Sequence, residues 1–402
     1  MKTKKVLLVM PHMIGGGAER VGAQLMNSFA DRGFETEIML TADRTENVIR
    51  SDLDERTVLT LIPEILPSVS VVDNIRFGIL LKLYAQIFCN IFELFRLPVP
   101  AQFAKASLFV QYHREIALLR KKLLEEPDTA VIAFLQPAVP IVLLAARGLP
   151  NRVIFSERGN PQRLMKKRYG RKFIEKYYLR ADAAVFQTQD AESVYPEAVA
   201  AKGVVIENPL KAGLPAPYHG VREKRVVTFC RISPEKNLSL LIESFALFHQ
   251  KNPDYSLRIF GDPANEEGER EAARAKKLIS DKGLENAVRI MPFRPDVHEE
   301  ILRDMMYVNS SDSEGLSNAM LESMAIGLPC ICTDCPAGGA RATICSGENG
   351  ILVPVGDAGR MCSAMCGIAE DEALRNSLSR NAAGVRDRLS LDAVADRWVE
   401  LL

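Results

Sequence analysis

The sequence of 402 residues has no excess of either charge, since 51 Lys and Arg side chains balance 51 Asp and Glu side chains. This balance excludes a positive field over the whole molecule of the kind that attracts nucleic acid. Glycine and proline, with 25 and 22 residues, stay below the levels of disordered or fibrous chains. We therefore expect a folded protein without a nucleic-acid partner, which binds any anion at a local site.

The sequence also lacks the dense cysteine framework of a small secreted protein. Its eight cysteines are scattered and suit a reducing cytosol: Cys89, Cys230, Cys330, Cys332, Cys335, Cys345, Cys362 and Cys366. Two pairs, Cys332 with Cys335 and Cys362 with Cys366, invite comparison with zinc ligands. The second pair is poorly spaced, and Cys332 of the first pair lies with Cys330 in a β-like run, so no metal site is expected.

A signal peptide is not evident in the opening segment MKTKKVLLVMPHMIGGG. Its apolar run ends before Pro11, and no small-residue cleavage site follows. The run is interpreted as a first β-strand. We expect a cytoplasmic protein.

Strand-like and helix-like segments alternate along nearly the whole chain, which is typical of parallel sheets with crossover helices. We expect strands at 6–10, 35–40, 130–134, 153–156, 183–186 and 204–206, and then at 226–229, 257–260, 288–291, 307–309, 330–333 and 351–353. A helix is expected at about 18–32, ending at Gly33. The pattern predicts an α/β protein of two doubly wound domains.

The predicted boundaries follow from the turn signals. The first domain covers 1–207 and the second covers 221–385. Residues 208–220, with three prolines and two glycines, are interpreted as a linker. Residues 386–402 are expected to form a C-terminal helix that packs back on the first domain.

Residues 74–96 predict a helix that is apolar on all but one narrow stripe, because the non-apolar residues recur every four positions. Lys82, Gln86 and Glu93 argue against a membrane span. Two interpretations stay open: burial in the core, or contact with a bilayer surface or a lipid-linked acceptor.

Residues 161–180 form a basic helical segment. Its cations are Arg163, Lys166, Lys167, Arg168, Arg171, Lys172, Lys176 and Arg180, against the single anion Glu175. The segment is either a solvated helix face or a site for anionic lipid headgroups or phosphates.

Three consecutive glycines, Gly15, Gly16 and Gly17, follow the first predicted strand. Glycines at this point let the backbone approach a ligand, and the amides of the next helix can bind negative charge. A dinucleotide fingerprint is not formed, because Arg20 stands where a small residue is needed. A tight turn without a ligand is the alternative.

The segment CRISPEKN places Arg231 and Lys236 on a strand-to-helix loop at the carboxyl edge of the second sheet. Folds of this kind bind ligands at that edge, and two cations there can neutralise a diphosphate. The alternative is a pair of loop cations that face water.

The segment SDSEGLSNAMLES carries two carboxylates, Glu314 and Glu322, at the start of a predicted helix. Eight residues at about 1.5 Å each separate them by on the order of 10 Å, which suits the sugar and the ribose of a nucleotide sugar. Amides at the helix start would face the phosphates: Gly315, Leu316, Ser317 and Asn318. A capped surface helix would show similar acids.

Taken together, these segments resemble the retaining glycosyltransferases of family 4, which have the GT-B fold of two Rossmann-like domains facing each other across a cleft. The resemblance is densest in FCRISPEKNLSLLIESF, SLRIFGD, NAVRIMPF, Glu314-x7-Glu322, AIGLPCICTDCPAGG and GENGILVPVGD. In the first domain, LVMPHMIGGGAERV, IFSERGNP and VIENP look like the branch that assembles lipid-linked saccharides for surface polysaccharides.

The resemblance implies transfer of a hexose from a nucleoside diphosphate sugar, a UDP-sugar, to a lipid-linked or growing saccharide acceptor. It implies no cofactor and no metal. Peripheral binding to an anionic membrane is a separate expectation, which follows from the apolar segment 74–96 and the basic segment 163–180. Arg231 and Lys236 would bind the diphosphate, Glu314 the sugar hydroxyls and Glu322 the ribose. Other donor contacts would come from Gly15, Gly16, Pro292 and Phe293, the last two beside the base.

Two departures limit this transfer of roles. Many members have a histidine after the fourth strand of the first domain, but AFLQPAVP at 133–140 has none, so His12 and Arg158 become the candidates by position. Ser317 also replaces the usual proline. The remaining histidines are interpreted as surface or helix-face residues: His113, His219, His249 and His298.

The D-x-D sequence at Asp52 and Asp54 is interpreted as a turn. Two other functions stay open. One is a nucleotide-sugar epimerase on the same fold, and the other is a non-catalytic subunit that binds a nucleotide sugar.

Overall fold

The computed structural model describes residues 4–13, 16–41, 52–62, 101–166 and 170–402. The chain divides into two compact units. Unit 1 comprises Met1–Glu207 and Val394–Leu402, and unit 2 comprises Asn208–Ala393.

Among its described residues, unit 1 forms a parallel sheet of seven strands in the order β3-β2-β1-β4-β5-β6-β7. The strands are β1 (Lys5–Met10), β2 (Glu35–Leu40), β3 (Val58–Leu61), β4 (Thr129–Phe134), β5 (Val153–Ser156), β6 (Ala183–Phe186) and β7 (Gly203–Val205). The helices are α1 (Gly17–Asp31), α2 (Ala101–Glu125), α3 (Ala138–Ala145), α4 (Gln162–Met165), α5 (Gly170–Tyr177), α6 (Gln189–Ser193) and α7 (Glu197–Ala200).

Unit 2 forms a parallel sheet of six strands in the order β10-β9-β8-β11-β12-β13. The strands are β8 (Glu223–Phe229), β9 (Ser256–Phe260), β10 (Val288–Met291), β11 (Asp304–Asn309), β12 (Cys330–Thr333) and β13 (Ile351–Val353). The helices are α8 (Leu238–Lys251), α9 (Glu266–Asp281), α10 (Val297–Ile301), α11 (Asn318–Ala325), α12 (Gly339–Thr343), α13 (Ala358–Glu370), α14 (Glu372–Ala382), α15 (Val385–Arg388) and, crossing the unit boundary, α16 (Leu391–Val399).

Both sheets are covered on both faces, so apolar side chains point from their strands in both directions. In β1, Leu7 and Val9 enter one apolar cluster of unit 1, while Val6 and Leu8 enter the other. This double burial is why the strands were predicted from apolar runs, and the twelve predicted strands are confirmed. Among the described residues, β3 was not predicted from the sequence; it is a short edge strand whose Val58 is 57% exposed.

The segment at 208–220 lies along unit 2. The amide of Leu210 donates to the carbonyl of Leu389 at 2.8 Å, and that of Tyr218 to Ile326 at 3.1 Å. Arg386 also donates to the carbonyl of Pro215 at 2.8 Å. The region predicted as a linker is therefore held by backbone hydrogen bonds.

The C-terminal residues pack on unit 1. Trp398 of α16 is fully buried in the same apolar cluster as Phe29 of α1. Arg32 binds Asp396 at 2.7 Å, and Arg152 Nε donates to the carbonyl of Leu401 at 2.5 Å. The segment 386–402 contains two helices, α15 and α16, rather than one.

The apolar segment 74–96 lies outside the described residues. Within the described ranges, no helix combines the length and the hydropathy that a membrane span requires.

The basic segment includes α4 and α5, with Lys167 and Arg168 outside the described residues. Arg171, Lys172 and Lys176 are exposed, whereas Phe173 and Ile174 are buried. The helix α5 is thus anchored by its apolar face and presents its cations to solvent.

The D-x-D residues belong to a turn before β3. Asn27 on α1 donates to the carbonyl of Asp52 at 2.8 Å and accepts from the amide of Asp54 at 2.9 Å. The adjacent Arg56 lowers the pKa of Asp54 to about 2. The turn interpretation agrees with this geometry.

Candidate functional site

The carboxyl ends of β8 and β11, neighbouring strands of unit 2, bring together two residues that the sequence predicted. Lys236 ends a short 3₁₀ turn after β8, and its ammonium group forms an ion pair with the Glu314 carboxylate. The two side chains are 16% and 21% exposed. The hydroxyl of Ser311 donates to the same Glu314 oxygen at 3.2 Å. A cation and an anion are therefore fixed side by side at the edge where such sheets bind ligands.

The charge of Lys236 is maintained by its partner. Burial is the largest influence on Lys236 and alone would lower its pKa, but the Glu314 carboxylate, together with Cys230 and Glu235, raises the pKa above its ordinary value. Lys236 is consequently cationic at neutral pH and able to bind phosphate.

Hydrogen bonds join the loops after β8 and β11. The Ser310 hydroxyl donates to the carbonyl of Lys236 at 2.9 Å, and the amide of Asp312 donates to the carbonyl of Glu235 at 2.9 Å. Asn237, at φ +45°, donates to Asp312 at 2.8 Å and caps α8 by accepting from the amide of Leu240 at 3.0 Å. Asn tolerates this left-handed backbone better than most residues. The two loops that carry Lys236 and Glu314 are therefore joined by hydrogen bonds, which fix the position of the ion pair.

The start of α11 is also fixed. Ser317 caps the helix by accepting from the amide of Met320 at 3.3 Å, and Asn309 donates to the same hydroxyl at 3.4 Å. A Cβ on Gly339 would lie 1.8 Å from the carbonyl oxygen of Gly315, so only glycine allows these backbones to meet. Ser317 thus supplies the helix cap.

Glu322 occupies the second turn of α11 and is 6% exposed. Its carboxylate lies 2.8 Å from Nε2 of His298, which is 4% exposed. The interpretation of His298 as a surface or helix-face residue was therefore wrong. The five-residue helix α10 is too short to show a periodic pattern, so this burial could not be predicted from the local sequence. Glu314 and Glu322 bind different partners, Lys236 and His298 respectively.

Arg231 remains 56% exposed and lies 3.4 Å from the Glu235 carboxylate. Burial opposes the charge of Glu235, but hydrogen bonds from its own amide and from Ser233, together with Arg231, lower its pKa. The Arg231 side chain is thus more than half exposed, on the same loop that carries Lys236.

Pro292 and Phe293 follow β10. The Phe293 side chain is 50% exposed, while its amide donates to Asp262, which follows β9, at 3.2 Å. The backbone is anchored and the ring is left at the surface, where a flat base can stack on it.

In unit 1, Gly15 lies outside the described residues, and Gly16 is the N-cap of α1. The buried carboxylate of Glu19 folds back over Gly16, since a Cβ there would lie 2.1 Å from Oε2 of Glu19. Nδ1 of His12 is 3.0 Å from Oε1 of Glu19. The start of α1 thus already has a negative group, which its dipole stabilises, and a phosphate would have to displace it.

Arg158 follows β5 but lies in the interior of unit 1, where it is 8% exposed. Its guanidinium carbon is 4.5 Å from the ring centroid of Phe134 and 5.4 Å from that of Trp398. Burial lowers the pKa of Arg158 to about 9. These contacts are those of a packed core residue.

The C-x-x-C cysteines are both buried. Burial, with the Glu314 charge nearby, raises the pKa of the Cys335 thiol to about 11. In the part of the chain that the structure describes, no three His, Cys, Asp or Glu side chains are grouped to hold a metal ion.

A family model described as Glycosyl transferases group 1 matches residues 219–385, which are most of unit 2. The chain therefore carries a domain of this group, and both the ion pair and Glu322 lie within it.

Two curated relatives match parts of the chain. An exopolysaccharide phosphotransferase of Streptomyces coelicolor is 28% identical over 281 residues, which make up 68% of this chain and 28% of that protein. The lipopolysaccharide core biosynthesis glycosyltransferase LpsE of Rhizobium meliloti is 31% identical over 178 residues, 44% of this chain and 49% of that protein. The chain thus spans less than half the length of these relatives.

The crystal structure of HepE from Anabaena in complex with UDP-glucose has a TM-score of 0.74 to this chain, at 17% identity and over 98% of both chains. This likeness shows the fold. The predicted class, two Rossmann-like α/β domains of the GT-B type, is confirmed.

Proposed function

We propose that the protein is a retaining glycosyltransferase of family 4, which transfers a hexose from a UDP-sugar to a lipid-linked or growing saccharide. The observation that carries the proposal is the Lys236–Glu314 ion pair at the carboxyl edge of unit 2, inside the group 1 glycosyltransferase domain. Unit 1 is assigned the acceptor side.

The pair suits the bond that must break. A nucleotide sugar carries hydroxyl groups on one side of its anomeric C–O bond and phosphate on the other. Glu314 can accept from the hydroxyls while Lys236, in contact with it, binds the phosphate. The scissile bond is then held at the junction between the two groups.

The positive groups at this edge can also stabilise the transition state. As the anomeric C–O bond breaks, negative charge grows on the leaving diphosphate, and the fixed charges of Lys236 and Arg231 stabilise it. Amides at the start of α11, whose backbone is fixed by Ser317 and Gly339, add to this stabilisation.

Retention follows from attack on the same face of the sugar. The acceptor oxygen bonds to the anomeric carbon as the bond to the diphosphate oxygen breaks, and the acceptor proton passes to a leaving phosphate oxygen. The Glu314 carboxylate already contacts Lys236 and Ser311. It is therefore not assigned as a nucleophile or a base, and its proposed role is to bind sugar hydroxyls.

The lipid-linked acceptor is supported by two observations. The name of LpsE assigns that relative to lipopolysaccharide core biosynthesis. The exposed cations of α5, on a helix whose apolar face is buried, also provide a surface for anionic lipids, each cation adding about 1 kcal/mol near such a surface. We therefore propose peripheral binding to an anionic membrane.

A ligand panel tests the donor. UDP, GDP and ADP are compared by thermal shift, where a ligand at 100 times its dissociation constant adds about 2.7 kcal/mol of stability. We expect UDP to raise the unfolding midpoint most. No shift with any nucleotide would refute the proposed donor site.

Product analysis then separates the reactions. With the matched UDP-sugar and a saccharide acceptor, we expect release of UDP and a glycoside of unchanged anomeric configuration. A new sugar isomer without an acceptor would indicate an epimerase, and a phosphodiester would indicate phosphotransfer. Saturable binding without turnover would indicate a binding subunit.

Flotation with liposomes tests the membrane proposal. We expect the protein to float with anionic vesicles at low salt and to be released at high salt, because screening weakens charge attraction. A protein that stays in the soluble fraction at low salt would refute membrane binding without affecting the donor proposal.

A further inference from the structure

A buried imidazole contacts the carboxylate assigned to the ribose. Nε2 of His298 is 2.8 Å from Oε2 of Glu322, and the two side chains are 5% and 8% exposed. An ionised carboxylate can only accept hydrogen bonds, so Nε2 is the donor in this contact. Sequence analysis assigned no role to His298.

The imidazole is held from two sides. Val297 and Ile301, on the same short helix α10, are buried in the apolar cluster that includes Met320 and Leu321 of α11. On the other side, the ring of Phe229 meets that of His298 edge-on, with centroids 5.5 Å apart and planes at 85°. His298 therefore connects the end of β8 to the flank of α11.

We propose that His298 is a positioning residue that fixes the Glu322 carboxylate for the ribose of the donor. This inference rests on the proposed function, since it takes Glu322 as the group that binds ribose hydroxyls. A buried carboxylate without a donor rotates or takes up a proton, and in both cases it loses acceptor sites. His298 holds the carboxylate through Oε2, which leaves Oε1 to accept from the ribose.

The consequence is a preference for an intact ribose. Loss of one hydrogen bond to a charged group weakens binding about tenfold to a hundredfold. We expect wild type to bind 2′-deoxy-UDP that much more weakly than UDP. A residue that only fills space would not change this ratio when it is replaced.

The experiment compares UDP and 2′-deoxy-UDP by calorimetry in wild type, His298→Phe and His298→Gln. His298→Phe keeps an aromatic ring against Phe229 but cannot donate, so we expect about tenfold weaker UDP binding and less than about threefold discrimination. His298→Gln supplies an amide donor and should recover discrimination. The matched control is His249→Phe on α8, where His249 stacks on Phe245, and it should leave both affinities unchanged.

Each outcome decides between roles. If His298→Phe discriminates as wild type does, His298 has only a packing role and the inference is overturned. If wild type binds UDP without discrimination, Glu322 does not bind the ribose, and the inference fails while the donor proposal stands. If wild type binds no nucleotide of the panel, the proposed function itself fails.

A second variant, His298→Asn, keeps the test decisive if His298→Phe does not fold. If His298→Phe lowers the unfolding midpoint, His298→Asn replaces it in the comparison, because its side chain is polar but too short to reach Glu322. Reduced discrimination in a folded His298→Asn supports the positioning role, and unchanged discrimination overturns it.

Discussion

The two units use charged groups differently near the carboxyl ends of their strands. In unit 2, Lys236 and Glu314 pair at the sheet edge and keep part of their surface exposed. In unit 1, Arg158 is packed between aromatic rings, and Glu19 is buried beside His12. The paired charges at the edge of unit 2 thus keep part of their surface exposed, whereas Arg158 and Glu19 in unit 1 are buried in the fold.

The largest effect should come from the pair in unit 2. We expect Lys236→Ala to lower kcat/KM for transfer from the matched UDP-sugar by about a hundredfold to a thousandfold, since it removes the charge that the proposal assigns to the leaving group. Glu314→Gln should cause a similar loss but retain UDP affinity, because Glu314 is assigned to the sugar. Transfer assays and calorimetry with UDP measure both.

Lys276→Ala and Glu299→Gln are matched controls, since both residues are exposed in unit 2. They should keep wild-type activity. If Lys236→Ala and Glu314→Gln both transferred sugar near the wild-type rate, the assignment of Lys236 and Glu314 to the donor site would be wrong. The proposed difference between the charged groups of the two units would then be lost as well.

The elements of the site were predictable where they depend on local sequence. Apolar runs located the strands, and the β8 loop and the start of α11 followed from their positions after strands. The meeting of Lys236 with Glu314 follows in turn from the adjacency of β8 and β11. The local sequence pattern and the strand order of the sheet together therefore explain why Lys236 and Glu314 form an ion pair.

What the sequence missed depends on contacts distant along the chain. His298 becomes a partner of Glu322 only because α10 packs its apolar residues into the cluster that contains α11. Arg158 was named as a site candidate by its position alone, and its contact with Trp398 lies 240 positions later by residue number. Neither contact has a local signature.

A second prediction compares one arginine from each unit. We expect Arg158→Ala to lower the free energy of unfolding by about 2–4 kcal/mol, because it leaves a cavity between Phe134 and Trp398. Arg231→Ala should change it by less than about 0.5 kcal/mol, since the side chain is largely exposed. It should instead weaken UDP binding. Denaturant unfolding and calorimetry give the two values.

The comparison between the two arginines would be wrong if their effects were exchanged. If Arg158→Ala kept its stability but transferred sugar poorly, Arg158 would be assigned to the acceptor site, as its sequence position suggested. A destabilised Arg231→Ala would show that Arg231 supports the loop rather than the ligand.

A third prediction concerns Glu37 in unit 1, which is 2% exposed on β2. Lys5 and Lys122 each lie 2.8 Å from its carboxylate, and Thr60 donates to it at 2.8 Å. Burial alone would raise the pKa of Glu37, but these three partners lower it below its ordinary value of 4.5. The contacts of the Glu37 carboxylate thus connect β1, β2, β3 and α2.

A lowered folded pKa means that this stabilisation is present above the ordinary value and is lost as the pH falls through the folded pKa. We expect Glu37→Gln to reduce the free energy of unfolding by about 1–3 kcal/mol at neutral pH. The difference from wild type should shrink as the pH falls below 4.5. Unfolding at a series of pH values tests this, with Glu299→Gln as the control, and a constant difference would contradict it.

The smallest expected effect is a difference in UDP binding between variants of two helix caps, one in each unit. Thr188 accepts from the amide of Ala191 at 3.0 Å in unit 1, and Ser317 accepts from that of Met320 at 3.3 Å in unit 2. Replacing either with Ala should cost about 1 kcal/mol of stability. Only Ser317→Ala should also weaken UDP binding, by about threefold to tenfold, because the amides at that helix start are assigned to phosphate. Equal UDP affinity in the two variants would show that the α11 cap supports the fold alone.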